Sequence, residues 1–357
     1  MAEPFRNKKT LLPACSISSE NIPGAGFCGL MMTNQGLRSL FPMEDIAVMG
    51  LLELLLQLNM IRVKLQETLE AALPFQPHVV MTVDSKGFSL CLLKQLRARY
   101  NRQGLNTLVH FHYVAPSFWA WKGGEARLRG LVQFVEHVLC KLPNEEEVCR
   151  SNGLAATFVG HPSLEDVWEL NSFQVLIHDL VYRRKLHPMN GRWKETAKIS
   201  EGNMQCLQAS SVALCASGTV ALEMQLARLP CVVAYSHFLT ELIIRYEAKV
   251  PIVSLPNVLM DSPIIPEALL QSCTLTNLAS LMLDLIHANG LREEQIVAAE
   301  KVIRLLCAPA RNLDPLAERH QGGWFPRNTP SKIAATAVLH HAKPWLSSVG
   351  CHYYTNV

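Results

Sequence analysis

Short apolar runs that alternate with helical patterns are the feature that most constrains the fold of this chain. His78 to Val83 is an apolar run between breakers, and Phe88 to Tyr100 follows with leucines at helical spacing. The alternation continues through apolar runs at Thr107 to Tyr113, His137 to Leu142 and Ala155 to Val159. Strands and helices in this order predict βαβ units and therefore a parallel sheet.

A second set of the same kind begins near residue 209. It contains a strand at Ser211 to Cys215, a helix at Val220 to Arg228 and a strand at Cys231 to Tyr235. Residues 163–208 between the two sets show no regular strand and helix unit. The pattern therefore predicts an α/β protein with two parallel-sheet halves, which agrees with a length of 357 residues.

Composition and charge exclude several classes of protein. Apolar residues make up 49% and charged residues 18% of the chain, which excludes a disordered polypeptide. The net charge of +3 is too small for the field of a nucleic-acid binder, so no nucleic-acid partner is expected. The 11 cysteines include no CxxC pair, which argues against a disulfide framework or a zinc site.

The most apolar segment of the chain is a leucine-rich helix at Met49 to Leu65. No window reaches the ~18 uninterrupted apolar residues of a transmembrane helix, and this segment is broken by charged residues such as Glu53 and Arg62. Two interpretations stay open for it: a helix packed on a sheet, or a helix that contacts a membrane surface.

Asp84 stands at the carboxyl end of the first strand, at the edge of a parallel sheet where open α/β folds place their ligands. The alternative is that Asp84 or Ser85 only caps the following helix. The next strand ends in a loop that carries Trp119 and Trp121, whose rings suit a sugar, a lipid interface or the filling of a cleft.

In the second half, Ser217, Gly218 and Thr219 follow a strand and open a helix. Hydroxyl groups, backbone N–H groups and the helix dipole converge there, as an anion site requires, and Gly218 would let a phosphate approach the backbone. Glu223 lies one helical turn further on, within reach of a ribose diol. A simple capping turn is the competing interpretation.

Two weaker patterns point to other chemistry. His110 and His112 share one face of a strand, but no third metal ligand stands at a recognisable spacing. Gly24 to Gly29 is a literal GxGxxG that follows no predicted strand, so we interpret it as a turn.

Five motifs in order give the chain a family resemblance. They are Leu40 to Gly50, Tyr113 to Trp121, Phe158 to Pro162, Ala216 to Glu223 and Val253 to Asn257. Together they resemble the lipid-A-disaccharide synthases, and the plant members in particular. The resemblance implies a GT-B-like α/β fold in which two doubly wound Rossmann-like domains face a cleft.

The same resemblance implies an inverting, metal-independent glycosyltransferase without a cofactor. It would move 2,3-diacylglucosamine from UDP to 2,3-diacylglucosamine 1-phosphate and form the lipid A disaccharide. Asp84 matches the proposed catalytic aspartate of the family. Residues expected on the donor side are Ser217, Gly218, Thr219, Glu223 and Asn257. Residues expected to face the acceptor or lipid are Met49, Gly50, Ser117, Trp119 and Trp121.

The chain also departs from the family pattern. It lacks the Ser-Gly-Glu-x-Ser-Gly-Asp loop and the Pro-Gly-Ser-Arg loop, so each domain is expected to be incomplete. A truncated, inactive form that binds a lipid or a full-length partner is therefore the alternative function. The resemblance to plant members implies a mitochondrial, peripheral membrane protein, and a homodimer stays open.

The expected organisation has five parts. Residues 1–23 lie outside the family pattern, 24–162 form the acceptor domain and 163–208 form an irregular linker. The donor domain covers 209–306, and a tail with a final helix near Ile333 to His341 covers 307–357.

Overall fold

The computed structural model describes residues 25–28, 30–34, 38–46, 51–105, 108–165, 210–216, 218–235, 252–309 and 329–348. These residues form a mixed α/β structure in which every strand pairing is parallel. The α/β class and the parallel sheets are thus as expected from the sequence.

The first elements are a strand β1 (Ala25–Cys28), a short helix α1 (Leu30–Asn34) and a strand β2 (Arg38–Pro42). β1 and β2 pair in parallel. The interpretation of Gly24 to Gly29 as a turn is therefore wrong, because most of this segment is strand. The long helix α2 (Leu51–Phe75) follows.

Four strands form the central sheet of the first half. They are β3 (Val79–Val83), β4 (Val109–Tyr113), β5 (His137–Cys140) and β6 (Ala156–Phe158), and their order in the sheet is their order in the chain. The connecting helices are α3 (Lys86–Arg102), α4 (Gly124–Leu131) and α5 (Pro143–Ser151). Among the described strands, each new strand is therefore added on the same side of the one before it.

The two faces of this sheet are covered differently. Val80, Val138 and Cys140 pack in one apolar cluster with residues of α2 to α5. Phe111 and Leu139 point to the opposite face, because successive strand residues alternate. The helix that covers this opposite face comes from the far end of the described chain, at Pro330–Ser348.

The second half contains a three-stranded parallel sheet and four helices among its described residues. Its strands are β7 (Ala213–Cys215), β8 (Cys231–Tyr235) and β9 (Glu267–Leu269), again in chain order. Its helices are α6 (Thr219–Leu226), α7 (Leu255–Met260), α8 (Leu275–His287) and α9 (Asn289–Leu306). The helix at Pro330–Ser348 is α10.

The halves meet at the Gly160-His-Pro162 motif. The backbone N–H of His161 donates to the carbonyl of Leu306 at 3.1 Å, where α9 ends. A side chain at Gly160 would come within 3.2 Å of both Leu306 and Pro330, and its φ of +93° also favours glycine. The backbone N–H of Ser331 donates to Glu165, which fixes the start of α10 beside the same junction.

We predict that Val338→Asp separates α10 from the sheet. Val338 is 1% exposed in the cluster with Phe111 and Leu139, so a carboxylate there would be buried without a partner, at a cost of several kcal/mol. Urea unfolding should show a large loss of stability, whereas Thr336→Asp on the exposed side of α10 should change it little. Equal losses in both variants would contradict the packing role of Val338.

Candidate functional site

Asp84 lies where the sequence places it, directly after β3 at the carboxyl edge of the sheet. Its backbone N–H donates to the carbonyl of Tyr113 at 2.9 Å, and its side chain is exposed. Ser85 occupies the N-cap position of α3 but makes no side-chain capping hydrogen bond. Among the described residues the Asp84 carboxylate accepts no capping hydrogen bond either, so this exposed carboxylate is open to a ligand. Its catalytic role stays a prediction.

Backbone strain is concentrated at this edge. Asp84, Ser85 and Val114 have φ values of 48°, 45° and 74°, in the left-handed region that non-glycine residues rarely adopt. Val114 is the most unfavourable of the three because it is β-branched, and its backbone N–H is held by the Leu139 carbonyl at 3.0 Å. Such conformations cost about 1–3 kcal/mol each and cluster at functional sites.

His112 lies one strand away from Asp84 and is completely buried. Its Nδ1 is 2.8 Å from the hydroxyl of Thr82, its register partner on β3, and its Nε2 has no hydrogen-bond partner among the described residues. Burial lowers the pKa of His112 to about 4, with the Asp84 charge opposing that shift and Lys86 adding to it. His112 is therefore neutral at pH 7.

The tryptophan loop is anchored by α4. Ser117 precedes a short 3-10 turn at Phe118–Ala120, and Trp121 follows it, half-buried. A Cβ at Gly124 would lie 1.7 Å from the Phe118 carbonyl oxygen, so only glycine allows this close approach. The side chain of Trp119, and Met49 and Gly50 altogether, lie outside the described residues.

The predicted anion site on the donor side is partly described. Gly218 precedes α6 with φ 109° and ψ −144°, a conformation that essentially only glycine adopts, and no side chain caps the helix from this position. Thr219 begins α6 and is exposed, and Glu223 is half-buried one turn later. Ser217 lies outside the described residues. The structure thus brings Gly218, Thr219 and Glu223 together at one helix start.

Asn257, predicted on the nucleotide side, is 1% exposed and fully engaged by protein groups. Its Oδ1 accepts from Ile265 N–H, and its Nδ2 donates to the Ile265 carbonyl at 2.8 Å and to Glu267 at 2.7 Å. Glu267 also accepts from Ser254 and from the Val253 N–H. Asn257 therefore holds this loop, and a nucleotide contact remains a prediction. Sequence reasoning missed Glu267, since its short strand gives no periodic signal.

The two histidines considered as a metal pair have protein partners. His110 Nδ1 lies 2.6 Å from the Phe134 carbonyl, so it donates there. Within the described ranges, the structure contains no group of at least three histidine, cysteine, aspartate or glutamate side chains able to hold a metal ion.

These features are those of an α/β protein with two parallel-sheet halves, with an exposed carboxylate at the edge of one sheet and a glycine-led helix start in the other half. Comparison with known proteins identifies the family. The family model for lipid-A-disaccharide synthetase matches residues 9–182 and 185–319. The chain belongs to the lipid-A-disaccharide synthase family.

Individual relatives agree with this assignment. A protein of Arabidopsis thaliana, named as a probable mitochondrial lipid-A-disaccharide synthase, is 46% identical over 387 residues, covering 89% of this chain and 84% of the relative. The lipid-A-disaccharide synthase of Rhodospirillum centenum is 34% identical over 335 residues, covering 79% of this chain and 82% of the relative. The Arabidopsis alignment of 387 residues is longer than this chain of 357, so that relative has internal residues that this chain lacks.

We predict that Gly124→Ala displaces the tryptophan loop, since the added methyl group would overlap the Phe118 carbonyl. Thermal unfolding should reveal a clear loss of stability. Gly130→Ala in the same helix is the matched control, because nothing lies within 4 Å of its Cβ position and alanine favours helix by about 1 kcal/mol. Equal stability of the two variants would contradict the close approach.

We predict that the free energy of unfolding decreases as the pH is lowered from about 6.5 to 4. Burial is the main cause that lowers the pKa of His110 to about 3 and those of His112, His137 and His161 to about 4. The unfolded chain therefore binds protons in this window while the folded chain does not, so stability is lost as the pH falls. Each histidine contributes at most about 1.4 kcal/mol per pH unit.

Urea unfolding between pH 7.5 and 4.5 measures this slope. His112→Gln should reduce this pH slope by up to the contribution of one bound proton. Replacement of the exposed His340 by Gln should leave the slope unchanged. An identical slope in wild type and His112→Gln would show that His112 is not buried as a neutral group.

Proposed function

We propose that this chain transfers an acylated glucosamine from UDP to an acylated glucosamine phosphate, with Asp84 as the general base. The observation that carries the proposal is the exposed Asp84 carboxylate, which stands at the ligand-binding edge of the sheet without a capping role. The transferred unit is proposed to be 2,3-diacylglucosamine, and the acceptor 2,3-diacylglucosamine 1-phosphate. The family match over both halves does not favour an inactive form.

In the proposed step, the 6-hydroxyl oxygen of the acceptor attacks C1 of the donor sugar from the side opposite UDP. A new C1–O bond forms, the bond between C1 and the diphosphate oxygen breaks, and UDP leaves with the bonding electron pair. Asp84 takes the proton of the attacking hydroxyl. His112, on the neighbouring strand, is buried and neutral. His112 therefore does not compete with the acceptor hydroxyl as a proton donor to Asp84.

The donor is proposed to bind at the start of α6. The N–H groups at Gly218 and Thr219 and the positive end of the helix dipole would stabilise the leaving diphosphate, without a metal ion or cofactor. Glu223, one turn further along α6, would accept hydrogen bonds from the ribose. This arrangement is supported by the uncapped helix start and the glycine-specific backbone of Gly218.

The acyl chains of the acceptor are proposed to lie along α2. Its buried side packs on the sheet through Leu65 and Leu69, as one interpretation of this helix predicted. Leu56, Met60 and Val63 are 80%, 48% and 55% exposed and follow one another at helical spacing. They form an exposed apolar stripe on α2, which supports contact with acyl chains and with a membrane surface.

No described helix has the length and apolar composition needed to cross a bilayer. We propose a mitochondrial location, supported by the name of the Arabidopsis relative. A homodimer remains a proposal for which sedimentation of the purified protein is the direct measurement.

Asp84→Asn is expected to abolish disaccharide formation while UDP binding and the unfolding midpoint are retained. Asparagine tolerates the left-handed backbone of this position as well as aspartate does, so only the proton acceptor is lost. Transfer from UDP-diacylglucosamine is measured by product formation, and UDP binding by calorimetry. Retained turnover would exclude Asp84 as the base. If the wild-type protein forms no disaccharide at high enzyme concentration, the proposed function itself is contradicted.

A further inference from the structure

Two lysines stand at the same sheet edge as Asp84. Lys86 is the first residue of α3, two positions after Asp84, and Lys141 directly follows β5. β4 lies between β3 and β5, so the backbones of the two lysines are about 10 Å apart along the sheet edge. Two extended lysine side chains can converge over that distance on a ligand bound in front of β4.

Within the described residues, no carboxylate forms an ion pair with the positive charge at this edge, although the charges of Asp84 and Glu145 act on Lys86. Among the described residues, the structure gives neither lysine an ion pair or a hydrogen bond. Burial lowers the pKa of Lys86, Asp84 and Glu145 oppose that shift, and the charge of Lys141 adds to it. Burial is the main cause that lowers the pKa of His161, and the charge of Lys141 lowers it further. The charge of Lys141 therefore acts as far as the residues after β6.

The acidic groups nearby have other roles. Glu145 is 1% exposed, and its Oε2 accepts a hydrogen bond from the backbone N–H of Leu142 at 3.2 Å, so it is fixed at the start of α5. Asp84 is exposed and is the proposed base. The first turn of α3 adds further positive potential, because the Ser85 side chain does not cap it.

We propose that Lys86 and Lys141 bind the phosphate of the acceptor, a sugar phosphomonoester, while its 6-hydroxyl faces Asp84. The inference rests on the proposed function and names the residues that recognise one end of its acceptor. C1, which carries the phosphate, and C5, which carries the 6-hydroxymethyl group, both flank the ring oxygen of glucosamine. A phosphate near Lys86 therefore places the hydroxyl within reach of the neighbouring Asp84.

Sequence reasoning did not find this pair, because the two lysines are 55 positions apart and belong to no motif. Only the order β3-β4-β5 brings them to one edge.

The test compares acceptors with and without the 1-phosphate. Wild-type kcat/KM should fall about 10- to 100-fold when the phosphate is removed, the range for hydrogen bonds to charged groups. Lys86→Met and Lys141→Met should each lose most of that discrimination, with an unchanged KM for the UDP-sugar, and Lys86→Arg should retain it. Lys94→Met, on the exposed side of α3, is the matched control and should behave as wild type.

A direct binding arm separates this proposal from the proposed function. Glucosamine 1-phosphate should bind the wild-type protein more tightly than glucosamine, and Lys86→Met should remove the difference, even if the protein forms no disaccharide. Undiminished discrimination in both methionine variants would overturn the proposal. A raised KM for the UDP-sugar in those variants, with acceptor discrimination intact, would assign the lysines to the donor diphosphate instead and would also overturn it.

Discussion

The structure depends on the cover that α10 gives to the central sheet. A parallel sheet is stable when both faces are buried, and α2 to α5 can cover only one face because the strands wind in one direction. The other face, with Phe111 and Leu139, is buried by a helix that comes from more than 160 residues further along the chain than β6. The fold of the first half is therefore completed only by the end of the described chain.

The return of α10 also explains the junction between the halves. Gly160 and His161 contact the last turn of α9 and the start of α10 together, so the motif after β6 is a meeting point of three segments. Leu142 and Leu164 pack there with residues of α6 and α9. At the carboxyl edge of the same sheet, hydrogen bonds to the Tyr113 and Leu139 carbonyls hold the strained backbone of Asp84 and Val114.

Much of the first sheet could be predicted from the sequence, and part of the site as well. β3 to β6 are apolar runs between clear breakers, and Asp84 follows from its position after β3. β9 is three residues long and could not be distinguished from a loop. β1 was missed because glycines suggested a turn. The buried role of Asn257 depends on Glu267 and Ile265, which contact it only through tertiary structure.

The two halves supply unequal charge to the proposed reaction. The acceptor edge carries whole charges on Asp84, Lys86 and Lys141. The start of α6 offers the donor diphosphate partial charges, about half an elementary charge from the helix dipole. Gly218, Thr219 and Glu223 carry no positive side chain, so these described residues offer the diphosphate no full positive charge. In the proposed arrangement Lys86 and Lys141 hold the acceptor phosphate, so the backbone N–H groups and the dipole of α6 are the described groups left to stabilise the leaving UDP.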